Sequence, residues 1–229
     1  MNHKKKSYNI TEADIMAGKY DPVALVEPLW WSVSIYDGLE QYEADLKPFT
    51  PAQRAVFAVL WLDSEVCNGG FDQFMYYSTG IVWKDALAGF ELIGAEKLAA
   101  ILRNVIEKCC GAIPFDRIER QELLARITAD PENKDENTEL ADRLASALCG
   151  FFEKIGRSIP FDRPEQQELF DRLTSAPENE GENTDPFIED DRAYYSANDE
   201  LKDLIMEYVK ANPAEFTFTG EVDVPENIM

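Results

Sequence analysis

Histidine is nearly absent from this chain. His3 is the only one among 229 residues, and it stands next to the N-terminus. Without a second usable imidazole, no Ser-His-Asp or Cys-His nucleophile can be assembled. A phosphate-binding P-loop and the GxGxxG fingerprint are also missing, as is any zinc-ligand spacing. The four cysteines, Cys67, Cys109, Cys110 and Cys149, include no CxxC pair, so buried reduced thiols in a cytoplasmic protein are the expectation. Long apolar runs are lacking too. The longest, Ala55 to Leu62, is too short to span a bilayer. The basic start, Met1 to Lys6, is not followed by the apolar core of a signal peptide. Neither a membrane partner nor a cofactor is expected.

Positive charge is the other shortage. Lys plus Arg is 22 against 44 Asp plus Glu, a formal net charge of −22. Such a chain repels nucleic acid and anionic lipid and attracts a basic protein surface. The acid is unevenly spread. Residues 1–110 hold 10 Lys/Arg and 15 Asp/Glu, whereas residues 111–229 hold 12 and 29.

What the chain does have is helical patterning. Thr50 is a good N-cap, Pro51 suits the first helical position, and Gln53 completes a capping box. Ala55 to Leu62 is then apolar on every face, which predicts a helix buried all round, about 51–66. Asn68-Gly69-Gly70 is expected to stop it, and Phe71, Phe74 and Met75 to form the face of a short second helix. Glu65, in the last turn before the stop, faces the negative end of the helix dipole. It is expected to offset this by accepting hydrogen bonds from the free N–H groups that begin the Phe71 helix.

Elsewhere, short helices are predicted after Thr11 and after Asp21-Pro22. One longer helix past Pro28 is expected to carry Trp30, Trp31, Ile35, Leu39 and Tyr42 as a core stripe. Further helices are predicted over about 95–108 and 199–210. Residues 1–10 read as a disordered tail and 216–229 as an extended one, since Phe216 to Thr219 alternates like a strand with no evident pairing partner.

An internal duplication lies between these helices. Ile113-Pro114-Phe115-Asp116-Arg117 recurs as Ile159-Pro160-Phe161-Asp162-Arg163, and the constant offset of 46 extends to Glu136-Asn137-Thr138 and Glu182-Asn183-Thr184. Two copies are too few for a solenoid. The expected architecture is all-α: a single multi-helix domain over residues 11–215 with a duplicated helix–Pro turn–helix–acidic loop unit, about 99–138 and 145–184. In the first acidic loop, Asn133, Asp135, Asn137 and Glu139 alternate like calcium ligands. The sixth-position glycine is missing, however, and Leu144 stands where the bidentate Glu belongs, so no metal is expected.

Glu65, Asn68-Gly69-Gly70-Phe71, Gln73-Phe74 and Ser78-Thr79-Gly80, with Thr50 to Arg54 upstream, resemble a bacterial domain-of-unknown-function family that includes an acidic DNA-mimic protein. A looser likeness resumes in Asp190-Asp191-Arg192-Ala193-Tyr194-Tyr195. The resemblance implies an all-helical fold and a surface of carboxylates presented to a DNA-binding protein. Duplex DNA carries a charge about every 3.4 Å along each strand, and helical carboxylates four residues apart rise about 6 Å. Glu165, Glu168 and Asp171, and Asp185 with Glu189, Asp190 and Asp191, are the candidate row. The expected partner is a basic protein, a DNA-binding transcription factor or a nuclease, with no direct nucleic-acid contact; a homodimer stays open. The expected function is a non-enzymatic protein-binding module. The alternatives are an immunity-type inhibitor of a toxin nuclease, or a carboxylate enzyme centred on Glu65 and Asp72.

Overall fold

The Thr50 capping box starts the element on which the fold is built. In the computed structural model the Thr50 hydroxyl accepts from the Gln53 amide at 3.1 Å, and the Gln53 side chain accepts from the Thr50 amide at 3.0 Å. The structure describes residues 3–128 and 185–225. These lie almost wholly in one compact unit drawn from residues 1–127 and 186–229; residues 128–185 form a second unit. The second copy of the duplication, with Glu165, Glu168 and Asp171, lies outside the described residues.

Ten α-helices and one two-stranded sheet make up the described part. In chain order they are β1 (His3–Ile10), α1 (Glu12–Met16), α2 (Pro22–Leu25), α3 (Glu27–Ser32), α4 (Leu39–Leu46) and α5 (Pro51–Tyr76). Then follow α6 (Trp83–Leu92), α7 (Glu96–Lys108), α8 (Arg117–Thr128), α9 (Ile188–Ala197), α10 (Leu201–Ala211) and β2 (Phe218–Pro225). The all-α class therefore holds.

Helix α5 packs against α2, α3, α6 and α9. Val56, Phe57, Ala58, Val59 and Leu62 are wholly inaccessible, as an all-apolar run requires. The capping box does more than start this helix. The Thr50 hydroxyl also donates to the Glu215 carbonyl at 2.6 Å, and Gln53 Nε2 donates to the Thr217 carbonyl at 3.1 Å. These bonds fix the chain entering β2.

Two sequence expectations are corrected here. Of the two tails, residues 3–10 are not free and 218–225 are not an unpaired extension. β1 and β2 pair antiparallel, with Lys5 opposite Asp223 and Ile10 opposite Phe218. Alternation explains the pairing: Tyr8, Ile10, Val222 and Val224 are buried, while on the other face Lys5 stands opposite Asp223 and Ser7 opposite Glu221. The Trp30–Tyr42 stripe is also not one helix. It breaks between α3 and α4, where Gly38 takes φ 84°, and Ile35 is buried from a loop.

Candidate functional site

Asn68-Gly69-Gly70 breaks the helix, as expected: α5 is two helical segments joined across a kink, where Gly69 (φ −160°, ψ 23°) and Gly70 (φ 79°, ψ −178°) leave helical geometry. Gly70 is the residue that needs to be glycine. Its φ is positive, and a Cβ there would strike the Asp191 carboxylate. Gly69 has an extended φ, which any residue adopts; a Cβ there would meet the Gln73 side chain, 2.1 Å from Oε1 and 3.1 Å from its Cβ.

The kink leaves the N–H groups of the segment 71–76 in need of acceptors. The Phe71 amide donates to Asp191 Oδ1 at 2.8 Å, in a buried contact. The expected clasp from Glu65 is therefore corrected: Glu65 instead accepts from Gln73 Nε2 at 2.5 Å. The cap comes from α9, 120 residues away, because only a side chain lying over Gly70 can reach the Phe71 amide.

The neighbouring carboxylate is equally internal. Asp190 pairs with Lys108 Nζ at 2.6 Å and accepts from Asn104 Nδ2 at 2.6 Å. Lys108 also donates to the Pro186 carbonyl at 2.8 Å. Asp190 and Asp191 are 5% and 9% exposed, so they do not belong to a partner-facing row. Their acidity serves the start of α9 and the kink. Of the same set, Glu189 is exposed and Asp185 half-buried.

The rest of α9 grips the outer half of α5. The Tyr194 hydroxyl donates to Asp63 at 3.2 Å, and the Tyr195 hydroxyl donates to the Val66 carbonyl at 2.9 Å. Asn198 Nδ2 donates to Asp63 at 3.1 Å. Burial, with Asp63 beside it, pushes the Tyr194 hydroxyl far above its ordinary pKa. The Phe71 and Tyr194 rings meet edge-on at 5.6 Å. Phe71 and Phe74 of the motif are wholly buried, Asn68 is exposed, and Gln73 is half-buried.

At the other end of 71–76 lies a residue the sequence reading passes over. Arg120 is 1% exposed. Its guanidinium donates to four carbonyls: Met75 at 3.1 Å, Tyr77 at 2.8 Å, Pro114 at 3.2 Å and Phe115 at 2.7 Å. Burial pulls its pKa down to about 10. Gln121 Nε2 and Arg117 Nε donate to the Tyr76 carbonyl at 3.0 and 3.3 Å. A Cβ on Gly80 would come within 2.5 Å of Arg120 Nε, so Ser78-Thr79-Gly80 leaves the room that Arg120 fills. That run of small residues was the available signal.

On the outer side of the kink, Ser64, Glu65, Cys67 and Asn68 line an open depression of about 420 Å³. No helix among the described residues is long and apolar enough to cross a membrane. Comparison with curated proteins and with solved structures returned no match. Residues 47–149 match the family model described as DMP19-like protein. The matched span takes in the capping box, the kink, Ser78-Thr79-Gly80 and Arg120, and ends before α9. Over that stretch, and with a mostly helical fold, the chain is similar to the DMP19-like family.

Proposed function

We propose that the chain is a non-enzymatic, acidic protein-binding module that occupies the basic DNA-binding surface of a protein partner, as a DNA mimic. The observation that carries this reading is the exposed acid on the C-terminal helices. Glu189, Asp199, Glu200, Asp203 and Glu207 are all exposed. Asp203 and Glu207 are four residues apart on α10, a rise of about 6 Å, and Asp199 and Glu200 stand just before its first turn. This row replaces Asp190 and Asp191, which the fold uses internally. The similarity to the DMP19-like family over residues 47–149 supports the same reading, because the resemblance read from the kink motif is to a family with an acidic DNA-mimic member.

Exposed charge attraction is screened over about 8 Å at physiological ionic strength, and a partner that reads phosphates by charge cannot hold DNA and the mimic together. The test is a titration of an affinity-captured partner at several salt concentrations, with and without duplex DNA. Affinity is expected to fall as salt rises, and DNA is expected to displace the protein. Replacing Asp199, Glu200, Asp203 and Glu207 with their amides should weaken binding without unfolding the chain. Salt-independent binding that DNA does not displace would overturn the mimicry.

A further inference from the structure

Two short helices that pack beside the acidic helix α10 carry exposed apolar side chains. α1 lies against α10 and against the 3-10 turn Pro213–Phe216, and α2 lies against α10. Ile15 anchors α1 in the core at 1% exposure, while Met16 points outward at 60%. Ala13, Met16 and Ala17 are all exposed, and on a helix residues three and four apart are neighbours. Val23 stands out from α2 at 48% exposure. Ala214 is exposed on the turn against which α1 packs.

These side chains stand on held backbone. The Asp14 amide donates to the Thr11 hydroxyl at 3.2 Å, and the Lys19 amide donates to the Asp14 carbonyl at 3.1 Å. The Lys19 ammonium pairs with the Asp14 carboxylate. At the start of α2 the Ala24 amide donates to Asp21 Oδ1 at 2.7 Å. A partner docking on such elements has little chain to order.

The surroundings are acidic. Glu12, Asp21, Asp203, Glu207 and Glu215 are exposed, and none forms an ion pair among the described residues. Exposed Lys202 and Lys210 offset them only in part. An apolar centre with a polar rim is the anatomy of a protein interface. Charge selects what covers it. A second copy of this chain would set the same acid against itself, and an anionic membrane would be repelled.

We propose that α1 and α2 extend the acidic face of α10 into a docking surface for a basic amphipathic helix of the partner. Its apolar residue packs on Met16 and Val23, and its Lys and Arg side chains meet the acidic rim. A helix can present an apolar anchor and flanking cations together. This surface rests on the reading of the partner as a basic protein. It adds an apolar grip, which salt does not screen, to a charge attraction, which salt does.

The test uses the full chain and two synthetic peptides of equal charge: an amphipathic Leu/Lys helix, and the same peptide with every leucine replaced by glutamine. Binding is followed by backbone amide and methionine methyl chemical shifts. The Leu/Lys peptide is expected to shift the Met16 methyl and the amides of 12–17 and 22–24 most. It should bind about threefold or more tighter than the Gln/Lys peptide, and added salt should weaken both while keeping that preference. Met16→Gln with Val23→Thr changes two exposed side chains, so the fold is kept. The double change should weaken the Leu/Lys peptide about threefold to tenfold and leave the Gln/Lys peptide within about twofold. Equal affinity for the two peptides, shifts centred away from α1 and α2, or no loss in the double variant would overturn the docking surface. A failed peptide preference leaves the salt and DNA-competition behaviour of the captured partner untouched, and loss of that behaviour leaves the peptide result standing.

Discussion

The two ends of the short segment 71–76 are held by buried charges of opposite sign, and they are held differently. At its start one carboxylate, Asp191, takes one amide across Gly70. At its end one guanidinium, Arg120, takes four carbonyls. Each sign suits its end of the helix dipole. The asymmetry follows from hydrogen-bonding capacity. A guanidinium has five donors and can gather carbonyls from several strands of backbone. The carboxylate instead works by lying where glycine leaves room. Two motifs that look alike in sequence, Asn68-Gly69-Gly70 and Ser78-Thr79-Gly80, therefore have the same purpose. Each clears space for a distant charged side chain.

The largest effect is expected at the arginine end. Arg120→Leu leaves the four carbonyls without their donor, and should lower the unfolding free energy by about 3 kcal/mol or more. Arg120→Lys, with three donors on one atom, should recover part of that. Urea denaturation of the three proteins checks the order.

The duplication sharpens the same point. At the offset of 46, Arg120 corresponds to Gln166, so the second copy lacks the guanidinium. Deleting 113–158 joins Ala112 to Ile159 and places Gln166 at the capping position. Deleting 129–174 joins Thr128 to Ser175 and keeps Arg120. The chains that result are equally long. The second is expected to unfold cooperatively near the parent midpoint, the first to be clearly less stable. Equal midpoints would mean that the copies are interchangeable and that Arg120 matters little.

Smaller effects belong to the carboxylate end. Asp191→Ala should cost about 1–3 kcal/mol, the usual loss on leaving a buried donor unpaired; Asp191→Asn, which retains an acceptor, should cost less. Gly70→Ala should cost about 1–2 kcal/mol for its left-handed backbone, with a further loss from the contact with Asp191. Gly69→Ala is the smallest change, about 1 kcal/mol or less, because the Gln73 side chain has to move and give up its bond to Glu65. Equilibrium unfolding of all four variants ranks them.

What could be read from the chain was local. The Thr50–Gln53 capping box, the buried run 55–62, the break at the paired glycines and the final helix after Asp199 are all encoded within a few residues of themselves. What could not be read was long-range. β1 finds its partner more than 200 residues away, and only the paired strands together form one buried face and set Lys5 opposite Asp223. The Trp30–Tyr42 stripe has helical spacing, yet Gly38 breaks it. Asp190 and Asp191 look like exposed acid because their neighbours are acidic; their burial depends on Lys108, Asn104 and Phe71. Arg120 sits in the strongly polar run Arg117-Ile118-Glu119-Arg120-Gln121-Glu122, where nothing local distinguishes a buried guanidinium from a solvated one.

Native-state hydrogen exchange at the Phe71 amide tests the central claim, that buried charge at the kink holds segment 71–76. In the parent protein this amide should exchange slowly, as the amide of Leu60 in the apolar half of α5 does. In Asp191→Ala it should speed up far more than Leu60. Fast exchange of Phe71 in the parent, or a change in Asp191→Ala no larger than at Leu60, would contradict the account.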